Sequence, residues 1–275
     1  PVLYLRLREA AREDRTKIVE LTPHPTGLSD YAEVTLVYRP GEAATVIRSL
    51  LERPDRDPRL AQAAEVIGDG EGLVVILGRP SAAESAESIV DAAGVLAGAF
   101  PGAKFLSGLR RGNVHGALDM GMAPGILPGR VTLEEGHAWF LDCWGSLPEE
   151  RGLDARGIFE AADNHRVQAL VLVGADPLWD FPDRALARRG LDGMGFIVAV
   201  DCFLTDSNRQ ADVILPAATF GERAGTTTNM EGRVTRLGEK VTAPGTARPD
   251  WMIAAELALR MGHDLGFDSL DAIAD

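Results

Sequence analysis

Three apolar runs of five residues, Leu73–Leu77, Ala169–Val173 and Phe196–Val200, constrain this chain more than any other feature. Each is bounded by Gly, Asp or an amide, and none alternates apolar with polar residues. Runs of that kind belong to strands covered on both faces, as in parallel sheets. No apolar run is longer than five residues, and a helix crossing a bilayer needs about 20, so no direct membrane insertion is expected.

The segments between these runs carry helical periodicity. Helices are expected at 2–12, at 42–51 after the Pro40-Gly41 break, at 59–67, at 81–100 behind a serine cap, at 155–164, at 182–189 and at 249–262. Shorter strands fit TKIVEL (16–21), EVTLVY (33–38), AKFLS (103–107) and VILP (213–216), and TDSNRQA (205–211) fits a short helical turn. Strand and helix alternate, which predicts an α/β fold with parallel sheets and helices on both faces. Two stretches stand apart. ERPDRDPR (52–59) is charged and broken by proline, and reads as a linker. The glycine- and proline-rich segment 109–130 is too long for a casual connection and is expected to be functional or interface-forming.

IVELTPHPTGLSDYAEVTL (18–36) aligns without a gap on IVAVDCFLTDSNRQADVIL (197–215), at a constant offset of 179. Thr26 falls on Thr205, and Ala32-Glu33-Val34 on Ala211-Asp212-Val213. Two β-α-β copies suggest a doubly wound, pseudo-twofold core of the dinucleotide-binding type. On that reading residues 1–50 and 146–275 form one discontinuous core, and 51–145 an inserted second α/β domain.

Charge and cysteine content exclude several functions. Lys and Arg number 28 against 41 Asp and Glu, a net charge of −13, which argues against nucleic acid as a partner. Cys143 and Cys202 are far apart, so no four-cysteine iron–sulfur or zinc site is expected within 1–275. The five histidines form no metal-binding spacing, and no nucleophile–base spacing is present, so no catalytic residue is assigned. The opening at Pro1, directly into a helix-like stretch, reads as a segment of a longer protein.

In an open parallel sheet, ligands gather beyond the carboxyl ends of the strands. Two loops occupy that place: Gly174-Ala175-Asp176-Pro177 after the run 169–173, and the segment from Asp201 after 196–200. Glycine permits close backbone approach, and Asp201 is placed to accept from a ribose or a base edge. Ordinary βα loops also favour these residues. The GTTTNMEGR segment (225–233) suits either a ligand-wrapping loop or a tight turn. Neither a GxGxxG nor a GxxxxGK[ST] pattern is present at these turns.

GADPLWDFPDRALA, followed by FIVAVDCFLTDSNRQADVILPAATFGERAGTTTNMEGRV, resembles the molybdopterin oxidoreductase superfamily. Its pattern there is a G-x-N/D-P loop, a V-x-D strand end, a T-E-T-like turn, ADVVLP, E-x-x-G-T and N-x-E-G-R. GNVHGALDMGMAPGILPG resembles that superfamily's other long signature, and PVLYLRLREAA the helix after its first pterin-site loop. The likeness runs from residue 1 to about 262 and implies a fold of the formate dehydrogenase domains 1–3 type. LRLREAARED and ALDMG…PGILPGR are most similar to the G-subunit branch of bacterial NADH:quinone oxidoreductases, respiratory complex I. That resemblance implies a structural segment without pterin or metal, with the parent's iron–sulfur clusters elsewhere. The implied partners are other subunits of the peripheral arm, at the cytoplasmic face of the plasma membrane. The alternative it implies is the core of an active enzyme such as a formate dehydrogenase, holding molybdopterin guanine dinucleotide with molybdenum or tungsten.

The resemblance assigns the candidate cofactor-binding residues Gly174, Asp176, Pro177, Asp201, Thr205, Asp206, Glu222, Gly225 and Asn229, with Thr22 and His24 from the first copy. Where the superfamily ends its first strand in D-P-R, this chain has Thr22-Pro23-His24. Loss of that acid and guanidinium should leave the site acidic and poor at holding a pyrophosphate.

Overall fold

A computed structural model describes residues 2–78, 85–109 and 111–274. The architecture is mixed α/β with parallel sheets, and the chain divides into two compact units, Pro1–Arg110 and Arg111–Asp275.

The first unit contains α1 (Val2–Arg12), β1 (Val19–Thr22), β2 (Val34–Val37), α2 (Ala43–Glu52), α3 (Pro58–Ile67), β3 (Val74–Leu77), α4 (Ala86–Ala99) and β4 (Lys104–Ser107). β1 pairs with β2 and β3 with β4, each pair parallel. α2 buries Ala43, Ala44, Ile47 and Leu50, one stripe at helical spacing. Leu50 packs with Val34, Leu36 and Ala63 of α3, while Ala43, Ala44 and Ile47 meet Tyr38 and Ala92 of α4.

That packing corrects one expectation. The stretch 52–59 is not a domain linker. It holds a 3-10 turn at Pro54–Arg56, and Asp57 caps α3 by accepting from the Arg59 amide at 2.7 Å, with Pro58 opening the helix. α3 and α4, assigned to the insert, share a core with α2 and β2, because their apolar stripes are what cover that sheet. The serine cap is Ser85, accepting from the Ser88 amide at 3.1 Å; residues 81–84 of the expected helix lie outside the described residues.

The second unit begins with α5 (Val114–Asp119), β5 (Ile126–Leu127), β6 (Val131–Thr132) and α6 (Leu133–Trp144). The segment 109–130 is thus partly ordered into a helix and one strand of a hairpin. Arg130 holds its turn at φ +60, and its guanidinium donates to Asp119 Oδ1 at 2.6 Å and to the His115 carbonyl at 3.1 Å. Thr132 and Glu135 form a capping box: Thr132 Oγ1 accepts from the Glu135 amide at 3.1 Å, and Glu135 Oε2 accepts from the Thr132 amide at 3.1 Å.

The chain continues through α7 (Ala155–Asp163), β7 (Ala169–Val173), α8 (Pro177–Asp180), α9 (Arg184–Asp192), β8 (Phe196–Asp201), β9 (Val213–Pro216), β10 (Gly225–Thr228), β11 (Val234–Leu237), α10 (Asp250–Arg260) and α11 (Leu270–Ala274). β7, β8 and β9 form a parallel sheet in that order, and β10–β11 is a separate hairpin. One face of the sheet packs on α7 and α9 through Phe159, Leu172, Leu186, Ala187, Leu191, Ile197 and Ala199. Gly190 lets the helices meet closely, since a Cβ there would fall 2.8 Å from a Phe159 ring carbon. On the other face Val200 packs against Ala217 and against Ile253 of α10. Among the described residues no helix is long and apolar enough to cross a membrane.

Two outcomes follow from this packing. Leu191 is 2 % exposed, so Leu191→Ala should cost about 2–5 kcal/mol, read as amide exchange across β7 and β8 at least about 30-fold faster. Unchanged exchange would show that this core does not hold the sheet. The Glu135 carboxyl is held below the usual glutamate range by the Thr132 amide and then the Thr132 hydroxyl. A lowered folded-state pKa means stability present above the unfolded value and lost as pH falls through the folded one. Glu135→Gln should therefore melt lower than wild type at pH 7, with the difference closing below about pH 4; a gap that persists in acid would contradict this.

Candidate functional site

The sequence repeat is a repeat of backbone geometry. β1 pairs with β2 in the register Val19↔Val34 through Thr22↔Val37, and at the offset of 179 β8 pairs with β9 as Val198↔Val213 through Asp201↔Pro216. 3-10 turns occupy Ser29–Tyr31 and Asn208–Gln210. The Glu33 amide donates to Ile18 O and the Asp212 amide to Ile197 O, both at 2.9 Å. The Tyr38 amide donates to Thr22 O at 3.2 Å, and the Ala217 amide to Asp201 O at 3.0 Å. The two copies differ in side chains, and those differences decide what each turn can bind.

In the second copy the turn is built on Asp201. Its Oδ1 accepts from the amides of Cys202 at 2.7 Å and Phe203 at 3.2 Å, and Oδ2 accepts from Asn208 Nδ2 at 3.3 Å. Asn208 also donates to Phe203 O at 2.6 Å and accepts from the Thr205 amide at 2.7 Å, while Thr205 Oγ1 accepts from the Asn208 amide at 3.2 Å. Ser207 ties this turn to the loop after β7: its hydroxyl donates to Asp176 Oδ1 and accepts from the Leu178 amide at 2.9 Å. Ser207 and Asn208 are fully buried. A carboxylate offers roughly four acceptor positions, so Asp201, with three donors in place, retains room for about one more.

In the first copy Thr22 stands where Asp201 stands. It is 2 % exposed, and its hydroxyl donates to His24 O at 2.7 Å. His24 aligns with Phe203, so one carbonyl is capped by Thr22 in one turn and by Asn208 in the other. Ser29 replaces Asn208 in accepting from the turn threonine, with the Thr26 amide 2.8 Å from its hydroxyl oxygen. Glu20 closes the arrangement by accepting from the hydroxyls of Thr26, Ser29 and Thr35. The turn has no carboxylate at position 22 and no guanidinium at position 24.

The remaining candidates are engaged in local structure. Gly174 takes a left-handed φ of +56, which lets the chain turn at the end of β7. Pro177 opens α8 and is buried. Asp206 lies 4.0 Å from Arg184. Glu222 accepts from the Thr219 amide at 2.9 Å. Gly225 is the first residue of β10. Asn229 Oδ1 accepts from the amides of Glu231 and Arg233, both at 2.9 Å, which makes 229–233 a tight turn. Asn113, from the other long signature, reaches the Thr228 amide at 2.8 Å and holds α5 to this hairpin. The structure therefore gathers Asp176, Asp201 and Thr205 around Ser207 and Asn208, while Glu222 and Asn229 are bonded within turns of their own and Gly225 opens a strand.

Sequence reasoning missed Ser207, Asn208, Glu20 and Arg223. The signal for the first two was the TDSN run itself, where small polar residues directly follow a strand end. Burial at the sulfur and then the Asp201 carboxylate push the Cys202 thiol up, against a smaller downward pull from the Arg223 charge, although the residue as a whole is exposed. Arg223 is already paired with Asp250, and Arg184 faces Asp206. Among the described residues no three His, Cys, Asp or Glu side chains come together as a metal site.

A profile described as molybdopterin oxidoreductase matches residues 60–260. The NADH-quinone oxidoreductase G subunit 2 of Rhizobium meliloti (strain 1021) is 31% identical over 270 residues, 86% of this chain and 31% of that protein. The NADH-quinone oxidoreductase G subunit of Streptomyces coelicolor is 34% identical over 283 residues, 98% of this chain and 32% of the relative. The F420-dependent formate dehydrogenase 2 subunit alpha of Methanococcus maripaludis is 39% identical over 167 residues, 59% of this chain and 25% of its own length. The chain thus spans a third or less of these curated relatives. Acetylene hydratase from Pelobacter acetylenicus shares the fold, with a TM-score of 0.64 at 18% identity over 95% of this chain and 45% of that one. The matched profile and the fold agree: the chain belongs to the molybdopterin oxidoreductase family.

Proposed function

We propose that this chain is a structural, non-catalytic segment of the G subunit of an NADH-quinone oxidoreductase, supporting electron transfer from NADH to quinone without holding a cofactor itself. The carrying observation is the first turn. Thr22 is buried with its hydroxyl committed to a backbone carbonyl, and Glu20 holds the surrounding hydroxyls. A dinucleotide needs acceptors for its sugar or base and donors for its phosphates, and this turn presents neither side chain. In the second turn Asp201 has about one acceptor position left, and the nearby guanidiniums of Arg184 and Arg223 face carboxylates. The pterin dinucleotide does not fit this residue set.

The extent of the likeness supports the same reading, since the G-subunit relatives align over 86% and 98% of the chain and the formate dehydrogenase over 59%. On this proposal the partners are other subunits of the peripheral arm of the complex, at the cytoplasmic face of the membrane, and the iron–sulfur clusters belong to other parts of the parent protein. The alternative is the cofactor-binding core of a formate dehydrogenase-like enzyme, and the observation that favours it is the second turn, where Asp201 and Asp176 are kept and linked.

Isothermal titration with GDP distinguishes the two. The proposal predicts no saturable heat up to about 1 mM ligand, a free energy weaker than about −4 kcal/mol. Micromolar binding that is lost in Asp201→Ala would overturn it.

A further inference from the structure

The segment 120–130 is a glycine turn closed onto α5 by a side chain. Gly121, Gly125 and Gly129 take left-handed φ values of +74, +83 and +81, and Arg130 follows at +60, where a residue with a Cβ is disfavoured. The backbone returns to α5 through the Gly129 amide, 2.7 Å from Asp119 O, and the Met122 amide, 2.9 Å from Ala117 O. The closing side chain is that of Arg130. Its Nε donates to Asp119 Oδ1 at 2.6 Å and its Nη2 to His115 O at 3.1 Å, both on α5. The same Nη2 lies 3.0 Å from His115 Nδ1. Every residue in this contact belongs to the second unit.

A guanidinium has donors and no acceptor, so His115 Nδ1 is the acceptor and carries no proton. The ring that makes this contact is neutral, with its proton on Nε2. Histidine is the side chain whose charge ordinarily changes between pH 5 and 8. A proton on Nδ1 removes the acceptor and sets a second cation against the guanidinium. Asp119 stands four residues after His115 on the same helix face, so the two cations then compete for one carboxylate. The neighbouring strands β5, β6 and β10 hold no ionisable residue.

We propose that Arg130 and His115 form a pH-sensitive clamp on the glycine turn, closed while the imidazole is neutral and loosened when it takes a proton. The clamped form binds one proton fewer than the loosened one, so closure is favoured as pH rises and lost as pH falls through the range in which the imidazole titrates. The loosening is partial, because the bonds from Arg130 to Asp119 and to the His115 carbonyl do not depend on the ring's charge. It is also local, because the three glycines give 120–129 the freedom to open without disturbing the sheet.

The test is hydrogen exchange of the full-length protein followed by mass spectrometry from pH 8 to pH 5, the range in which histidine changes charge, with rates corrected for the intrinsic effect of pH. Peptides covering 120–130 should lose protection about fivefold on acidification, the weight of about one hydrogen bond, while peptides covering β8 keep theirs. In His115→Gln the ring gives way to an amide that does not titrate, and the step should vanish. Arg130→Gly removes the clamp and suits the left-handed backbone; its turn should exchange at pH 8 at least as fast as the wild-type turn does at pH 5. Equal protection of the wild-type turn at both ends of the range would overturn the proposal. So would a step that persists in His115→Gln, which would assign it to another group, or a parallel loss in the β8 peptides, which would mean that acid loosens the whole unit.

Discussion

Two fully buried polar side chains, Ser207 and Asn208, hold the carboxyl ends of β7 and β8 together. Burying a hydroxyl or an amide without partners is costly, and burying it fully paired fixes one geometry. Ser207 is paired both ways, donating to Asp176 and accepting from the Leu178 amide. Asn208 donates to Asp201 and to the Phe203 carbonyl and accepts from Thr205. The rim of the second unit is therefore shaped by the chain's own hydrogen bonds. The helices beneath it, α7 and α9, supply the apolar platform on which the three strands lie.

The same backbone turn occurs in the first unit with other chemistry. One carbonyl is capped in both copies, by Thr22 and by Asn208. That exchange frees a carboxylate to sit at the strand end in the second copy and removes it from the first. Glu20 then supplies the negative charge from two positions earlier on the same face of the strand, and three hydroxyls surround it. Two copies of one turn have diverged into one that keeps an acid at its rim and one closed over hydroxyls.

Much of this was legible in the residues. The apolar runs marked parallel strands because covered strands leave no room for alternation. The ungapped repeat foretold the paired registers and the two 3-10 turns. Domain boundaries were less legible: the charge and prolines of 52–59 look like a linker, but Asp57 and Pro58 form a helix start, and the pairing of α2 with α4 depends on three-dimensional packing across sequence-distant stripes. The site was legible in part. Asp176, Asp201 and Thr205 meet as their strand-end positions suggest, yet the residues that join them, Ser207 and Asn208, read as ordinary turn polars until burial is known. Glu222 and Asn229, suggested by the resemblance, serve turns of their own.

The most direct test of the central claim, that these turns are closed by the chain's own bonds and hold no pterin dinucleotide, is elemental and pterin analysis of the full-length protein purified from its native cells. Molybdenum, tungsten and pterin are expected far below one per polypeptide. Stoichiometric metal with pterin, retained through purification, would contradict it.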